Sequence, residues 1–135
     1  MDKTCKELVK NEYLSRLDDF KAFYNRLFSE DDVFSEVNEY GLSWDYVSKN
    51  TFKNQRKGYY RWQLSWGGPA DEFRIYTDSD KNIIKVEYWY LDWFDGASIE
   101  INDKEVIYWI EQFLECDLSP SELDEWQVGA SYRFS

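Results

Sequence analysis

The period of the apolar residues changes at Tyr59, and that change restricts the fold more than any other feature of the chain. Over residues 59–66, Tyr60, Trp62, Leu64 and Trp66 alternate with Tyr59, Arg61, Gln63 and Ser65, the two-residue repeat of a strand with one apolar face. Gly67-Gly68-Pro69-Ala70 interrupts it as a turn, since Gly accepts positive φ and Pro cannot donate to a ladder. Alternation resumes over residues 71–77, with Phe73 and Ile75 inward, and stops at Asp78-Ser79-Asp80-Lys81-Asn82, residues that bond their own backbone. Residues 83–94 predict the longest strand. Ile84, Val86, Tyr88 and Tyr90 share one face, and Lys85, Glu87, Trp89, Leu91 and Trp93 share the other. Asp95-Gly96 signals another hairpin, with a short strand over 97–101. An antiparallel four-stranded meander over about 59–101 follows.

Before Tyr59 the spacing is helical. Cys5, Leu8, Val9, Tyr13, Leu17, Phe20, Tyr24, Leu27 and Phe28 recur at three- and four-residue steps, which predicts a helix over about 4–28, with Thr4 and Glu7 as a capping box. Glu12 and Arg16 stand at i,i+4 on its surface. A short helix over 33–40 should end at Gly41 as a left-handed cap, and 44–47 reads as a further short helix or turn. Residues 49–57 are polar, basic and without period, a surface loop. After the meander, Asn102 or Asp103 caps a helix to about Cys116 with Val106, Ile107, Ile110, Phe113 and Leu114 as its buried stripe. Ser119-Pro120-Ser121-Glu122 restarts a helix, and 128–135 offers an edge strand or a loose tail. The expected class is α+β in one domain, 1–135, with a helical part over 1–57 and the sheet and C-terminal helices over 58–135.

A chain of 135 residues can bury a proper core without metal or disulfide staples. Cys5 and Cys116 stand far apart without CxxC spacing, which predicts reduced thiols and no zinc knuckle. The first ten residues lack a continuous apolar run and no later stretch is long enough to span a bilayer, so neither signal peptide nor membrane span is expected, and a cytoplasmic location follows.

The chain contains no histidine. That removes the commonest general base, the usual partner of a nucleophilic Ser or Cys, and the commonest transition-metal ligand, so no catalytic residue, metal or cofactor is expected. Carboxylates alone can still serve glycosidase or metal-assisted chemistry, and Asp71, Glu72 and Asp92 form the alternative ligand site. Asp78-Ser-Asp80 resembles the start of a calcium loop, but Trp89 stands where the bidentate Glu is required, leaving ordinary turn chemistry.

Net charge is −11, unevenly spread: residues 1–57 carry ten basic against eleven acidic side chains, and 58–135 carry six against sixteen. Phosphate binding needs a basic face, so direct nucleic-acid binding is not expected. Glu111 and Glu115 form a like-charge i,i+4 pair, which a solvated helix face tolerates and a selected negative field would favour. Trp62 and Trp66 fit a packed core, whereas Trp89 and Trp93, beside Asp92 and Asp95, fit either packing or an aromatic patch with an acidic rim.

The runs SWGGPADEF, from Ser65, and YLDWFDGA, from Tyr90, resemble a motif pair of small acidic proteins carried by plasmids and phages, whose members include antirestriction and anti-CRISPR inhibitors. The resemblance covers the middle third of the chain and transfers no catalytic residue. It implies inhibition of a host nucleic-acid-handling complex such as a defence nuclease or CRISPR effector. The expectation is a non-enzymatic inhibitor or adaptor that binds a basic protein surface through Trp89, Asp92, Trp93, Asp95, Glu111 and Glu115; the alternatives are the carboxylate ligand module and a structural interaction domain.

Overall fold

The computed structural model describes residues 4–29, 32–67, 69–93 and 95–116. The expected helix over 119–122 and the tail over 128–135 lie outside them, as does the side chain of Cys116. The class is α+β: a five-stranded antiparallel sheet and three helices. The elements in chain order are α1 (Cys5–Asn25), α2 (Val33–Tyr40), β1 (Ser43–Val47), β2 (Tyr59–Ser65), β3 (Ala70–Thr77), β4 (Ile83–Asp92), β5 (Asp95–Glu100) and α3 (Lys104–Cys116). The sheet runs β1-β2-β3-β4-β5, each strand antiparallel to the next.

The meander therefore has one strand more than the sequence pattern predicts. The stretch expected as a short helix or turn is β1, paired in register with β2 from Ser43↔Gln63 to Val47↔Tyr59. Trp44 and Tyr46 lie on the core face beside Trp62 and Tyr60, and Trp44 stacks on Phe113 of α3 at 5.0 Å. The sheet consequently begins inside the part expected to be helical. Gly41 also departs from expectation: its φ of −98° is extended, not left-handed. Glycine is needed there for close approach, since an added Cβ would meet the Trp62 indole and, at 2.9 Å, the Gln63 carbonyl oxygen.

Thr4 caps α1 as the sequence predicts, its hydroxyl accepting from Glu7 N–H at 3.3 Å while the Glu7 carboxylate accepts from Thr4 N–H at 3.3 Å. The helix stops at Asn25, three residues before the expected end, and Phe28 is fully exposed. Val9, Tyr13, Leu17 and Phe20 of α1, Val33 and Val37 of α2, and Val106, Trp109, Ile110 and Leu114 of α3 pack against Tyr60, Trp62, Leu64, Phe73, Ile75, Val86, Tyr88 and Tyr90. Trp109 belongs to the buried stripe of α3 although its size and indole N–H make it an unobvious choice; the N–H donates to the Phe20 carbonyl at 3.4 Å. Cys5 is a free, buried thiol. Among the described residues no helix is long and apolar enough to cross a membrane.

The helices cover one face of the sheet. The other face carries a transverse row fixed by register, Asp45–Arg61–Arg74–Glu87–Glu100, one residue per strand. Arg61 forks onto Asp45 at 3.0 and 2.6 Å, and Arg74 Nε donates to Glu72 at 2.8 Å. Arg61 is thus paired across two strands and Arg74 along its own, which lets these cations stand on a face without a covering layer.

Candidate functional site

A meander places alternate turns at the same end of the sheet. The β2–β3 and β4–β5 turns thus share one end, and the β1–β2 loop and β3–β4 turn share the other. This arrangement sorts the expected site residues into three places.

Trp89 lies in the middle of the uncovered face, opposite Glu72 on β3 and Ser98 on β5. The Arg74 guanidinium stacks on its ring at 4.0 Å from the centroid and on Tyr59 at 5.0 Å, and Trp89 Nε1 donates to Glu87 at 3.2 Å. Trp89 is therefore half-buried inside an internal cation–π sandwich.

Asp92, Trp93 and Asp95 form the β4–β5 turn, two strands from the β2–β3 turn that follows Trp66. Expected to share Trp89's face, Trp93 leaves the strand path: its φ is 54° and it is 87% exposed. Trp66, expected to point inward with Trp62, is 62% exposed, while Trp62 is buried. A bulge between Gln63 and Ser65 shifts the β2–β3 register just before β2 ends at Ser65. Asp95 Oδ2 accepts the main-chain N–H of Cys5 at 2.8 Å. That bond is the largest cause holding the Asp95 carboxyl below its ordinary pKa. Burial first, then the Asp95 bond and charge, push the Cys5 thiol up, away from thiolate chemistry.

Glu111 and Glu115 lie at the opposite end, beside Asp80, Lys81, Asn82, Ile83 and Leu114 in a groove between α3 and the β3–β4 turn. Asp78 there accepts from the N–H groups of Asp80 and Asn82, both at 2.9 Å, the turn chemistry its sequence predicts.

Asp71, Glu72 and Asp92 do not converge. As neighbours on β3, Asp71 faces the helices and Glu72 the uncovered side. Asp71 is 4% exposed and accepts from Arg16 at 2.7 and 2.9 Å, from Tyr88 Oη at 2.6 Å and from Ser65 Oγ. Arg16, expected on the helix surface with Glu12, instead spans to Asp71 and donates to Tyr40 Oη at 3.1 Å. Burial, then the bond to Asp71, raises the Tyr88 phenol. Asp71 is thus a saturated structural anion, and its parity with Phe73 and Ile75 was the signal that it faces inward. Among the described residues no group of three or more Cys, Asp or Glu side chains is placed to hold a metal ion.

Comparison with protein-family models, curated proteins and solved structures finds no match to this chain.

Proposed function

We propose that this protein is a non-enzymatic acidic inhibitor or adaptor that binds a basic surface of a nucleic-acid-handling protein complex, in the manner of the mobile-element anti-defence proteins its motifs resemble. Trp93 carries this reading: 87% exposed, it stands between Asp92 and Asp95 on a hairpin of the acidic half of the chain. A large exposed aromatic whose chain neighbours are acidic suits a protein partner whose groove ordinarily accepts phosphates. Asp92 and Trp93 form its principal contact with Asp95 behind them, and Glu111 and Glu115 add negative field from the far end. Trp89 braces the sheet from within the Arg74 stack. The divergence of Asp71 and Glu72 favours this reading over a convergent carboxylate site.

The test is capture by the immobilised protein from host lysate at low and high salt. Basic nucleic-acid-handling proteins should be retained at low salt and displaced by salt or by competing DNA. Reversal of Asp92, Glu111 and Glu115 to Lys should abolish retention. Retention that survives the reversal would rule out the electrostatic reading.

A further inference from the structure

The β4–β5 hairpin breaks the rules of its own turn. Asp92 pairs with Asp95, so the connection is a two-residue loop, and its first residue has positive φ. Such loops favour Asn or Gly, because a left-handed backbone brings a Cβ too close to the neighbouring carbonyl oxygen. Here the position is held by Trp, and at 87% exposure the indole offsets little of that strain by packing. Trp66, the second exposed tryptophan among the described residues, stands at the same end of the sheet.

The charge beside the indole selects what it can receive. Asp92 and Asp95 flank it in the chain, Asp95 with its Oδ2 already on the Cys5 N–H, and the chain is at −11, so phosphates and anionic lipid are repelled and a cation is drawn in. Lys and Arg are not equivalent there. A guanidinium is planar and weakly hydrated, so it can lie flat on an indole while its N–H groups fork to carboxylates; a strongly hydrated ammonium gains less from both. The same sheet already uses this pairing: Arg74 lies 4.0 Å over the Trp89 ring while donating to Glu72 at 2.8 Å.

We propose that the Trp93 turn, with Asp92 and Asp95, is a receptor for an arginine side chain presented by a protein partner. The proposal rests on the reading that the partner surface is basic, and it specifies which basic residue the turn recognises. Glycine at position 93 accepts the left-handed backbone without strain, so Trp93→Gly removes the indole while keeping the turn.

The experiment measures binding of oligo-arginine and oligo-lysine peptides of equal length to the full chain at low salt, for the wild type and Trp93→Gly. The wild type should bind oligo-arginine several-fold more tightly. In Trp93→Gly that preference should vanish, oligo-arginine affinity falling to that of oligo-lysine, with the thermal midpoint no lower. Equal affinity of the wild type for both peptides, or a preference that survives in Trp93→Gly, overturns the arginine receptor while leaving the basic-surface reading standing. Failure of the wild type to bind either peptide overturns both. Binding to phosphatidylcholine vesicles that is lost in Trp93→Gly, with no peptide preference, would assign the turn to a lipid surface and overturn the proposal as well.

Discussion

The carboxylate of Asp95 accepts the main-chain N–H of Cys5 at 2.8 Å, bonding the β4–β5 hairpin to the first residue of α1, 90 positions away. The first turn of a helix leaves N–H groups without intrahelical partners, and a carboxylate there satisfies one of them and complements the helix dipole. Asp95 therefore belongs to the fold as well as to the surface, so reversing it would confuse lost binding with lost stability. Asp92 is the cleaner handle on binding.

Asp95→Asn keeps an acceptor for the Cys5 N–H but removes the charge, and should lower the thermal midpoint at neutral pH by roughly 2 °C, in line with the loss of a charge at a helix N-terminus. The carboxyl's pKa lies below its ordinary 3.8, so the stability it adds is in place above that value and disappears as the pH falls through the lowered one. Melting curves of wild type and variant should accordingly converge at the acid end. A constant gap across that window would mean that charge is not what holds the hairpin to the helix.

The Arg16–Asp71 pair gives a second, larger test. Asp71→Ala would take from the Arg16 guanidinium and the Tyr88 hydroxyl the carboxylate they share, at a cost of about 3–5 kcal/mol. Replacing both charges together, Arg16→Met with Asp71→Leu, should recover much of that loss, because buried pairs cost desolvation that apolar residues do not. Urea titrations of the single and double variants measure the coupling. Additive losses would show that the two side chains act independently.

Much of this fold was legible because its code is local. Strands β2, β3 and β4 announce themselves by alternation, α1 and α3 by their apolar spacing, and Thr4 with Glu7 by chemistry within one helical turn. What escaped depends on partners distant in the chain. Ser43–Val47 is five residues long, short enough to read as one helical turn, and becomes a strand because β2 offers it a ladder. The β4–β5 turn sits two residues before Asp95-Gly96, since Asp95 is drawn toward the N-terminus of α1 and pairs with Asp92. Trp93 therefore misses the face that strand parity assigns to it, because β4 ends one residue before it. The candidate surface was legible as composition, aromatics beside carboxylates, but not as geometry, because two turns and a helix end decide which of those residues share a place.

Alkaline pH should unfold the protein through its tyrosines. Burial, assisted by Asp19 for Tyr40 and by Glu87 for Tyr76, pushes each of these phenols up to about 12. Tyr13 and Tyr88 are raised too, by burial and then by their bonds to Asp103 and Asp71. A folded pKa above the unfolded value of 10.0 means stability that is complete below 10.0 and is lost as pH rises toward 12. Urea midpoints should be flat up to that window and fall across it, and Tyr40→Phe should make the fall shallower. A midpoint that does not move would contradict the burial of these hydroxyls.

Two glycines separate packing from backbone freedom. An alanine at Gly41 would press its Cβ into the Trp62 indole and the Gln63 carbonyl, groups fixed by the core and by the β1–β2 ladder, so neither can yield cheaply. The expected loss is about 1–3 kcal/mol, as for an overpacked core. Gly67 is the opposite case: no atom lies within 4 Å of an added Cβ, but its φ of +100° is a conformation that L residues rarely adopt. Gly67→Ala should cost about 1 kcal/mol through backbone strain alone. Combining Gly41→Ala with Trp62→Phe, which removes the clashing ring nitrogen, should partly restore stability, whereas Gly67→Ala should gain nothing from that change. Equal responses in the two backgrounds would show that close approach to the indole is not why residue 41 is glycine.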